Sequence, residues 1–425
     1  MNMRRLRVLV SAYACNPSGS LQLHPGEDLT GWMLAREAAR RHLVWVITHS
    51  YNRPGIESSP PGDNLRNIHF VFVSLPRFFS WLYRFGIGER LYYYFWQIAA
   101  WRAAVRLHLQ YRFDIAHHLT FGNYWMPSFI GAFLPVPFVW GPVGGGQKTP
   151  ASLFNHYSLA GQFAEISRDM AQWLGRNALY SRHRCLRHAK AILVCNAETK
   201  YQFPPIAWPR IVLFPVNGIS SEDVAVPHRL TPASPFRVLT AGRLIRLKGF
   251  DLCIEAFAQL AEIHPDSLLE IIGQGPEEGR LGRLVKEMSL EGKVRFIPWL
   301  ERQHLLQKMR QSDVFLFASF RDGGGAVVVE AMASGLPVIC LDTGGPGFHI
   351  RDAWGIRIKP GSQNDVVKEM TRALKTLKER PALRKNLGRA AQKRAREYYV
   401  WNNLGRRLDE TYRSVLEKQA GFLKE

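Results

Sequence analysis

What most constrains this chain is an alternation, run twice, of short apolar β-rich segments with helix-length stretches. In the first half, residues 8–12, 42–48, 68–74, 114–117, 137–140, 191–195 and 211–214 read as strands, with a helix over 29–41. The second run starts at 236–240 and adds strands at 268–272, 294–296, 314–318 and 337–340. Helices over 249–263, 277–290, 302–311 and 326–335 lie between them. This pattern builds parallel sheets covered by helices. Residues 221–235 are rich in Ser, Pro and Thr without apolar periodicity and read as the linker. Two βα lobes joined this way imply a cleft, and open α/β sheets bind ligands at the carboxyl ends of their strands. Residues 363–425 are mostly helical and basic, with Arg384, Lys385, Arg389, Lys393, Arg394 and Arg396.

Composition narrows the partners. Of 425 residues 46% are hydrophobic and 21% charged, which excludes a disordered chain. The formal charge of +21 favours phosphate-rich partners. It is uneven: residues 1–220 hold 23 basic and 10 acidic side chains, residues 221–425 hold 33 and 25. Five scattered cysteines, Cys15, Cys185, Cys195, Cys253 and Cys340, form no CxxC pair. They suit neither a disulfide framework nor a zinc site, and point to a reducing cytosol. The basic start, Arg4-Arg-Leu-Arg7, imitates a signal peptide, but the apolar run after it is too short, so a buried first strand is expected. The uncharged stretch 115–147 is broken by Gly122 and four prolines and is not a membrane span.

Two segments carry chemistry. Ala241-Gly-Arg-Leu-Ile-Arg-Leu-Lys-Gly249 follows a strand and precedes a helix. Gly242 permits a tight turn, while Arg243 and Lys248 bring two cations to a helix start, where free N–H groups favour an anion. The plainer alternative is a solvated basic loop. The second segment is Phe320-Arg-Asp-Gly-Gly-Gly-Ala-Val-Val-Val-Glu-Ala-Met-Ala-Ser-Gly335. Gly323, Gly324, Gly325 and Ala326 let a ligand approach the backbone closely. Asp322 and Glu330 then place carboxylates on the loop and on the following helix, an arrangement suited to a polyhydroxylated molecule. The alternative is a helix-capping Asp and a surface Glu.

Taken together, these segments resemble the nucleotide-sugar-dependent glycosyltransferases of family four. The resemblance rests on the Gly-Arg-x4-Lys-Gly loop and the Asp322–Glu330 loop with its continuation Glu-Ala-Met-Ala-Ser-Gly-Leu-Pro-Val-Ile. Asn217-Gly-Ile219, Ile271-Ile-Gly-Gln-Gly-Pro276 and the segment 398–401 add to it. It is dense over 236–350 and looser over 5–220. It implies an α/β protein of the GT-B fold, with two Rossmann-like lobes facing across a cleft and a C-terminal helix crossing back. The lobes would be 1–220, an acceptor side, and 236–395, a donor-binding side, with 396–425 returning to the first. The resemblance further implies that Arg243 and Lys248 hold the donor diphosphate and that Glu330 bonds the ribose. Asp322 and the amides of Gly323, Gly324 and Gly325 would contact the transferred sugar. Retention of configuration without a bound metal and without a resident cofactor is implied too, the UDP- or GDP-sugar being a substrate.

The chain departs from the family's pattern. Asp322 stands where the family has Glu, one methylene longer, and Phe348 where many members carry Glu. In Asp114-Ile-Ala-His-His-Leu-Thr-Phe-Gly122 the usual active-site His is replaced by Leu119, leaving His118 as the nearest candidate and His117 next. In Pro25-Gly-Glu-Asp-Leu-Thr-Gly-Trp32, Gly26 and Gly31 suit a donor- and acceptor-facing loop, while Glu27 or Asp28 could simply cap the helix. Trp140-Gly-Pro-Val-Gly-Gly-Gly146 is expected to line the cleft, or to be a bare turn.

Residues 78–113 contain thirteen aromatics, among them Trp81, Tyr83, Tyr92, Tyr93, Tyr94, Phe95, Trp96 and Trp101, with five arginines. They are expected to form an interfacial helix on an anionic membrane surface, or else an aromatic helix packed within the lobe. The reading reached is a retaining glycosyltransferase acting on a glycan or lipid-linked acceptor in cell-surface or exopolysaccharide synthesis. It would be cytoplasmic and peripheral on the inner face of the plasma membrane. The rivals are a catalytically silent membrane scaffold and a basic nucleic-acid-binding protein. No recognisable nucleic-acid reading module is present, so nucleic acid is not an expected partner.

Overall fold

The computed structural model describes residues 4–17, 24–59, 65–76, 78–79, 81, 88–225 and 235–422. The chain forms two units. One comprises residues 1–146, 168–216 and 401–425, and the other comprises 147–167 and 217–400.

In the first unit seven parallel strands lie in the order β3-β2-β1-β4-β5-β6-β7. They are β1 (Arg7–Ser11), β2 (Leu43–His49), β3 (Ile68–Val73), β4 (Ile115–His118), β5 (Phe138–Val143), β6 (Ala189–Val194) and β7 (Ile211–Leu213). β1, at the centre, pairs with β2 and β4, with Ser11 opposite both Ile47 and His118. Helices cover both faces, so the inner strands are apolar throughout rather than alternating. Successive residues still point to opposite sides. Val8 and Val10 pack with Trp32, Leu34, Leu404, Leu408 and Tyr412. Leu9 packs on the other face with Tyr92, Tyr93 and Trp96. The helix Trp401–Phe422 thus belongs to the first unit's core, beside the helix Pro25–Ala39.

In the second unit six parallel strands follow the order β10-β9-β8-β11-β12-β13. They are β8 (Phe236–Ala241), β9 (Ser267–Ile272), β10 (Val294–Ile297), β11 (Val314–Phe317), β12 (Val338–Leu341) and β13 (Ile356–Ile358). Val238, Leu269 and Ile339 pack against the helices Phe250–Ile263 and Gln363–Glu379. Leu239, Phe315 and Val338 pack against the helix Ala326–Ala333 and Tyr399. β13, three residues long, has no apolar run of its own that would mark it in the sequence.

Several expectations are revised. Residues 147–167, expected with the first lobe, go with the second unit. Leu153 and Tyr157 pack in its core and His156 bonds Asp251. Of the expected linker 221–235, Ser221–Ala225 forms a short helix, and residues 226–234 lie outside the described residues. Trp140 and Gly141 lie in β5 rather than a bare turn, with Trp140 buried.

The aromatic segment divides between core and surface. The helix Gly88–Tyr111 turns Tyr92, Tyr93 and Trp96 into the core, where rings bury the most apolar area. Phe78, Trp81, Leu91, Phe95 and Leu109 are exposed, and Tyr83 and Arg84 lie outside the described residues. Among the described residues, no helix is long and apolar enough to cross a membrane.

Candidate active site

The site in the second unit forms where β8 ends. The chain turns at Gly242, runs through Arg243 and a short helical turn Arg246–Lys248, and enters the helix Phe250–Ile263. Gly249 makes that entry at φ +61°, and a Cβ there would lie 2.4 Å from the Ala318 carbonyl oxygen. Only glycine meets both conditions. The β9 loop braces the turn: Leu244 N–H donates to Gln274 O at 2.9 Å, and Gly242 N–H to Ile272 O at 3.0 Å. Arg243 is exposed, whereas Lys248 is drawn inward, its ammonium 5.2 Å from the Phe317 ring centroid and paired with the Asp322 carboxylate.

Asp322 consequently does something the sequence reading did not assign. Its Oδ2 accepts from Lys248, and its Oδ1 accepts the amides of Gly324 at 3.1 Å and Gly325 at 2.7 Å. Burial raises its pKa, but the Lys248 charge and these hydrogen bonds outweigh that and hold the carboxyl below its usual range. Asp322 and the Gly324 and Gly325 amides, expected to contact the transferred sugar, are here partnered with one another, and Asp322 with Lys248 as well. A side chain one methylene shorter than Glu folds back on its own loop, as Asp does in tight turns. Gly325, at φ +58°, opens the helix Ala326–Ala333, and Ala326 is exposed at its start.

Glu330 lies one turn further along that helix. Its Oε1 accepts from Arg302 Nε at 2.9 Å, and Arg302 Nη1 also pairs with the buried Asp223 at 2.7 Å. Burial pushes the Glu330 pKa up, partly offset by the Arg302 charge. The ribose-binding carboxylate expected from sequence is thus seated on an arginine.

The triglycine loop is held from behind. The Gly324 carbonyl accepts from Asn217 Nδ2 at 2.7 Å and from His349 Nε2 at 2.6 Å. Gly344, at φ +52°, sits so close that a Cβ would lie 2.1 Å from the Asp322 carbonyl oxygen. A buried ion cluster anchors the start of the helix Phe250–Ile263: Asp251 binds His156 at 2.8 Å, Arg280 at 2.7 Å and Arg246 at 3.2 Å. Burial opposes ionisation of Asp251, but these partners bring its pKa down to about 2. Sequence reading missed Asp223, Arg302, His349, Tyr399 and this cluster. Only Gly344-Gly-Pro-Gly347 offered a signal, as glycines crowded beside a ligand loop.

In the first unit His118 lies at the end of β4, buried, with Nε2 3.1 Å from the Tyr93 hydroxyl. Burial lowers its pKa to about 3 and that of His117 to about 4. His117 bonds the Tyr412 hydroxyl at 2.7 Å and the Gly141 carbonyl. Both rings are neutral core groups, so His118, expected at the reacting centre, is turned away from solvent. Gly26 is exposed, with nothing within 4 Å of a Cβ placed there. Gly31 packs where a Cβ would lie 2.1 Å from the Ala14 carbonyl oxygen. Glu27 and Asp28 do not cap their helix. Glu27 accepts the Phe121 amide at 2.7 Å, and Asp28 accepts the His24 amide and the Tyr51 hydroxyl, each at 2.9 Å. Among the described residues, no group of three or more His, Cys, Asp or Glu is placed to hold a metal ion.

Residues 227–394 match the family model described as Glycosyl transferases group 1. Over 324 residues the chain is 28% identical to the D-inositol 3-phosphate glycosyltransferase of Pseudarthrobacter chlorophenolicus, covering 73% of each chain. Over 179 residues it is 31% identical to a GDP-mannose-dependent monoacylated alpha-(1-6)-phosphatidylinositol monomannoside mannosyltransferase of Corynebacterium glutamicum. That match covers 40% of this chain and 45% of the relative. Among solved structures, sucrose-phosphate synthase from Thermosynechococcus elongatus aligns at TM-score 0.64 with 19% identity, over 98% of this chain and 100% of that one. HepE from Anabaena, solved with UDP-glucose, aligns at TM-score 0.58 with 16% identity, over 96% and 100%. Likeness at that identity shows the fold, which is GT-B.

Proposed function

We propose, from the premise that the chain belongs to glycosyltransferase family four, that it transfers a sugar from a UDP- or GDP-sugar to a glycan or lipid-linked acceptor. The observation that carries this is the seating of Lys248 and Arg243 at one turn, with Lys248 joined to the Asp322 loop. A diphosphate there meets an exposed guanidinium, a fork suited to phosphate oxygens, and an ammonium already oriented by its carboxylate. Leaving-group charge then develops against fixed cations, and no resident cofactor or metal is needed in this reading.

Glu330, seated on Arg302, would receive ribose hydroxyls. Asp322 would act by holding Gly324 and Gly325 in place beneath the sugar. In a retaining course the departing phosphate takes the proton of the incoming hydroxyl on the same face. Relatives named for GDP-mannose and neighbours solved with UDP-glucose support both bases as candidates. The named acceptors of the relatives, an inositol phosphate and a phosphatidylinositol mannoside, support an acceptor with a phosphate or lipid anchor. We place the enzyme at the cytoplasmic surface of an anionic membrane, in cell-surface glycan synthesis.

The test is Lys248→Ala with donor hydrolysis and transfer measured side by side. We expect kcat/KM to fall about a hundredfold or more for both. Unchanged turnover removes Lys248 from the diphosphate site.

A further inference from the structure

β7 stands at the edge of the first unit's sheet, beside β6. The helix Trp401–Phe422 covers that face, where Leu408, Tyr412 and Val415 join Leu193 and Phe214 in one cluster. Between the helix and the sheet edge a recess of about 360 Å³ remains. Ala191, Val212 and Phe214 form its floor, with Val415 beside them from the helix. Val212, in register with Leu193, is left 38% exposed there. Close packing leaves few voids larger than a water molecule, and small-molecule sites start at about 300 Å³. The recess therefore has the size of a site, and every residue lining it belongs to the first unit.

Its rim is cationic: Lys190, Arg210, Arg407 and Lys418 line it, with Glu410 as the one acid. Both arginines are pinned by backbone. Arg210 Nη1 donates to the Leu186 carbonyl at 3.1 Å and the Ala189 carbonyl at 2.6 Å, closing the end of the helix Tyr180–His188. Arg407 Nη2 donates to the Leu213 carbonyl at 3.1 Å, its guanidinium 5.5 Å from the Phe214 ring centroid. Cations ordered in advance lose little side-chain freedom when an anion arrives. Thr411 and Ser414 add hydroxyls to the wall. Lys190 and Arg210 stand at the amino ends of β6 and β7, whereas open α/β sheets take substrate at the carboxyl ends.

We propose that this recess binds a small organic phosphate, with its phosphate group among the rim cations and an apolar ring or short chain over Ala191, Val212 and Phe214. Four cations suit a doubly charged group, and guanidinium forks match phosphate oxygens. Glu410 disfavours a ligand charged at both ends, so the negative charge is gathered in one group. The volume admits a metabolite-sized molecule and no folded partner. The proposal lies outside the donor site described above and does not depend on it.

The experiment is calorimetric titration of the full chain with phenyl phosphate and with inorganic phosphate. Phenyl phosphate is expected to bind one to one, about tenfold more tightly than inorganic phosphate because its ring covers the apolar floor. Lys248→Ala, which alters the proposed donor site, should leave this binding unchanged. The double variant Lys190→Ser/Lys418→Ser should weaken it about tenfold or more; both lysines are exposed, so its melting temperature should stay that of wild type. Ser414→Phe, which fills the recess and alters no charge, should abolish it. No binding of phenyl phosphate to wild type overturns the proposal. Equal affinity in wild type, the double variant and Ser414→Phe overturns it too, as does binding that Lys248→Ala loses and the double variant keeps, which would assign the ligand to the donor site.

Discussion

His349 supports Gly324 through a hydrogen bond of 2.6 Å from its Nε2 to the glycine carbonyl oxygen, while its Nδ1 lies 2.8 Å from the Tyr399 hydroxyl. A carbonyl only accepts, so Nε2 carries the proton and Nδ1 accepts from tyrosine. Burial lowers the ring's pKa to about 4, which keeps it neutral near pH 7. The residue thus acts as a strut behind the triglycine loop. His349→Leu should cost about 1–3 kcal/mol by leaving the Tyr399 hydroxyl without this partner. It should also raise the donor KM more than it lowers kcat. Steady-state kinetics beside thermal denaturation check this, and unchanged KM would remove the strut role.

The same chemistry recurs at several buried histidines and gives a pH dependence. Burial lowers His42, His49 and His117 to about 4, and His118 to about 3. Below the unfolded value near 6.5 the unfolded chain binds protons that these folded rings refuse, so stability falls as pH drops from about 6.5 towards 4. Asp251 and Asp322, with depressed values, add losses further down, through the range below about 4. Glu330, raised by burial, opposes them in part. Thermal denaturation across pH 7 to 5 should show a steadily falling Tm. A flat profile would show that these rings protonate in the folded state.

Gly249→Ala tests the turn that seats the cations. A left-handed φ of +61° costs a non-glycine residue about 1–2 kcal/mol. The 2.4 Å approach to the Ala318 carbonyl oxygen adds strain that must displace backbone. The expected outcome is a loss of about 3 kcal/mol or more together with loss of nucleotide binding. Chemical denaturation and calorimetry measure the two separately.

Asp322→Ala removes one acceptor for two glycine amides and the partner of Lys248. Both ends of the pair are mostly buried, so the destabilisation should be about 3 kcal/mol. Asp322→Asn keeps an oxygen for the amides but removes the charge and sets an NH2 donor against the Lys248 ammonium. It should lose less stability than Asp322→Ala, by the worth of the amide bonds, and bind the donor less tightly, because Lys248 is no longer oriented. Equal loss in both variants would show that the amide bonds contribute nothing.

Much of the second unit was legible because its signals are local. The strand ends, the glycines at the turn and the cations Arg243 and Lys248 sit within a few residues of one another. Their consequence depends on helix-terminus geometry that sequence encodes directly. The apolar residues of the helix Leu159–Ala178 have the spacing of a core helix, and nothing in that spacing says that they face outward. The aromatics of 78–113 left two readings open, because a run of rings suits an interface or a core equally. Tyr93 and Trp96 proved to be core because β1 supplies a face for them to cover.

Sequence alone determined the two βα units and the turn carrying Arg243 and Lys248, because these depend on periodicity and short-range backbone conformation. Tertiary structure decided the partners. That Asp322 folds onto Gly324 and Gly325, that Glu330 rests on Arg302, that His349 supports Gly324 and that His118 is sealed beside Tyr93 all depend on atoms tens of residues or more apart or on a side chain's length. A hydrogen bond is worth having only at about 3 Å, and which groups meet at that distance is set by how the strands and helices pack.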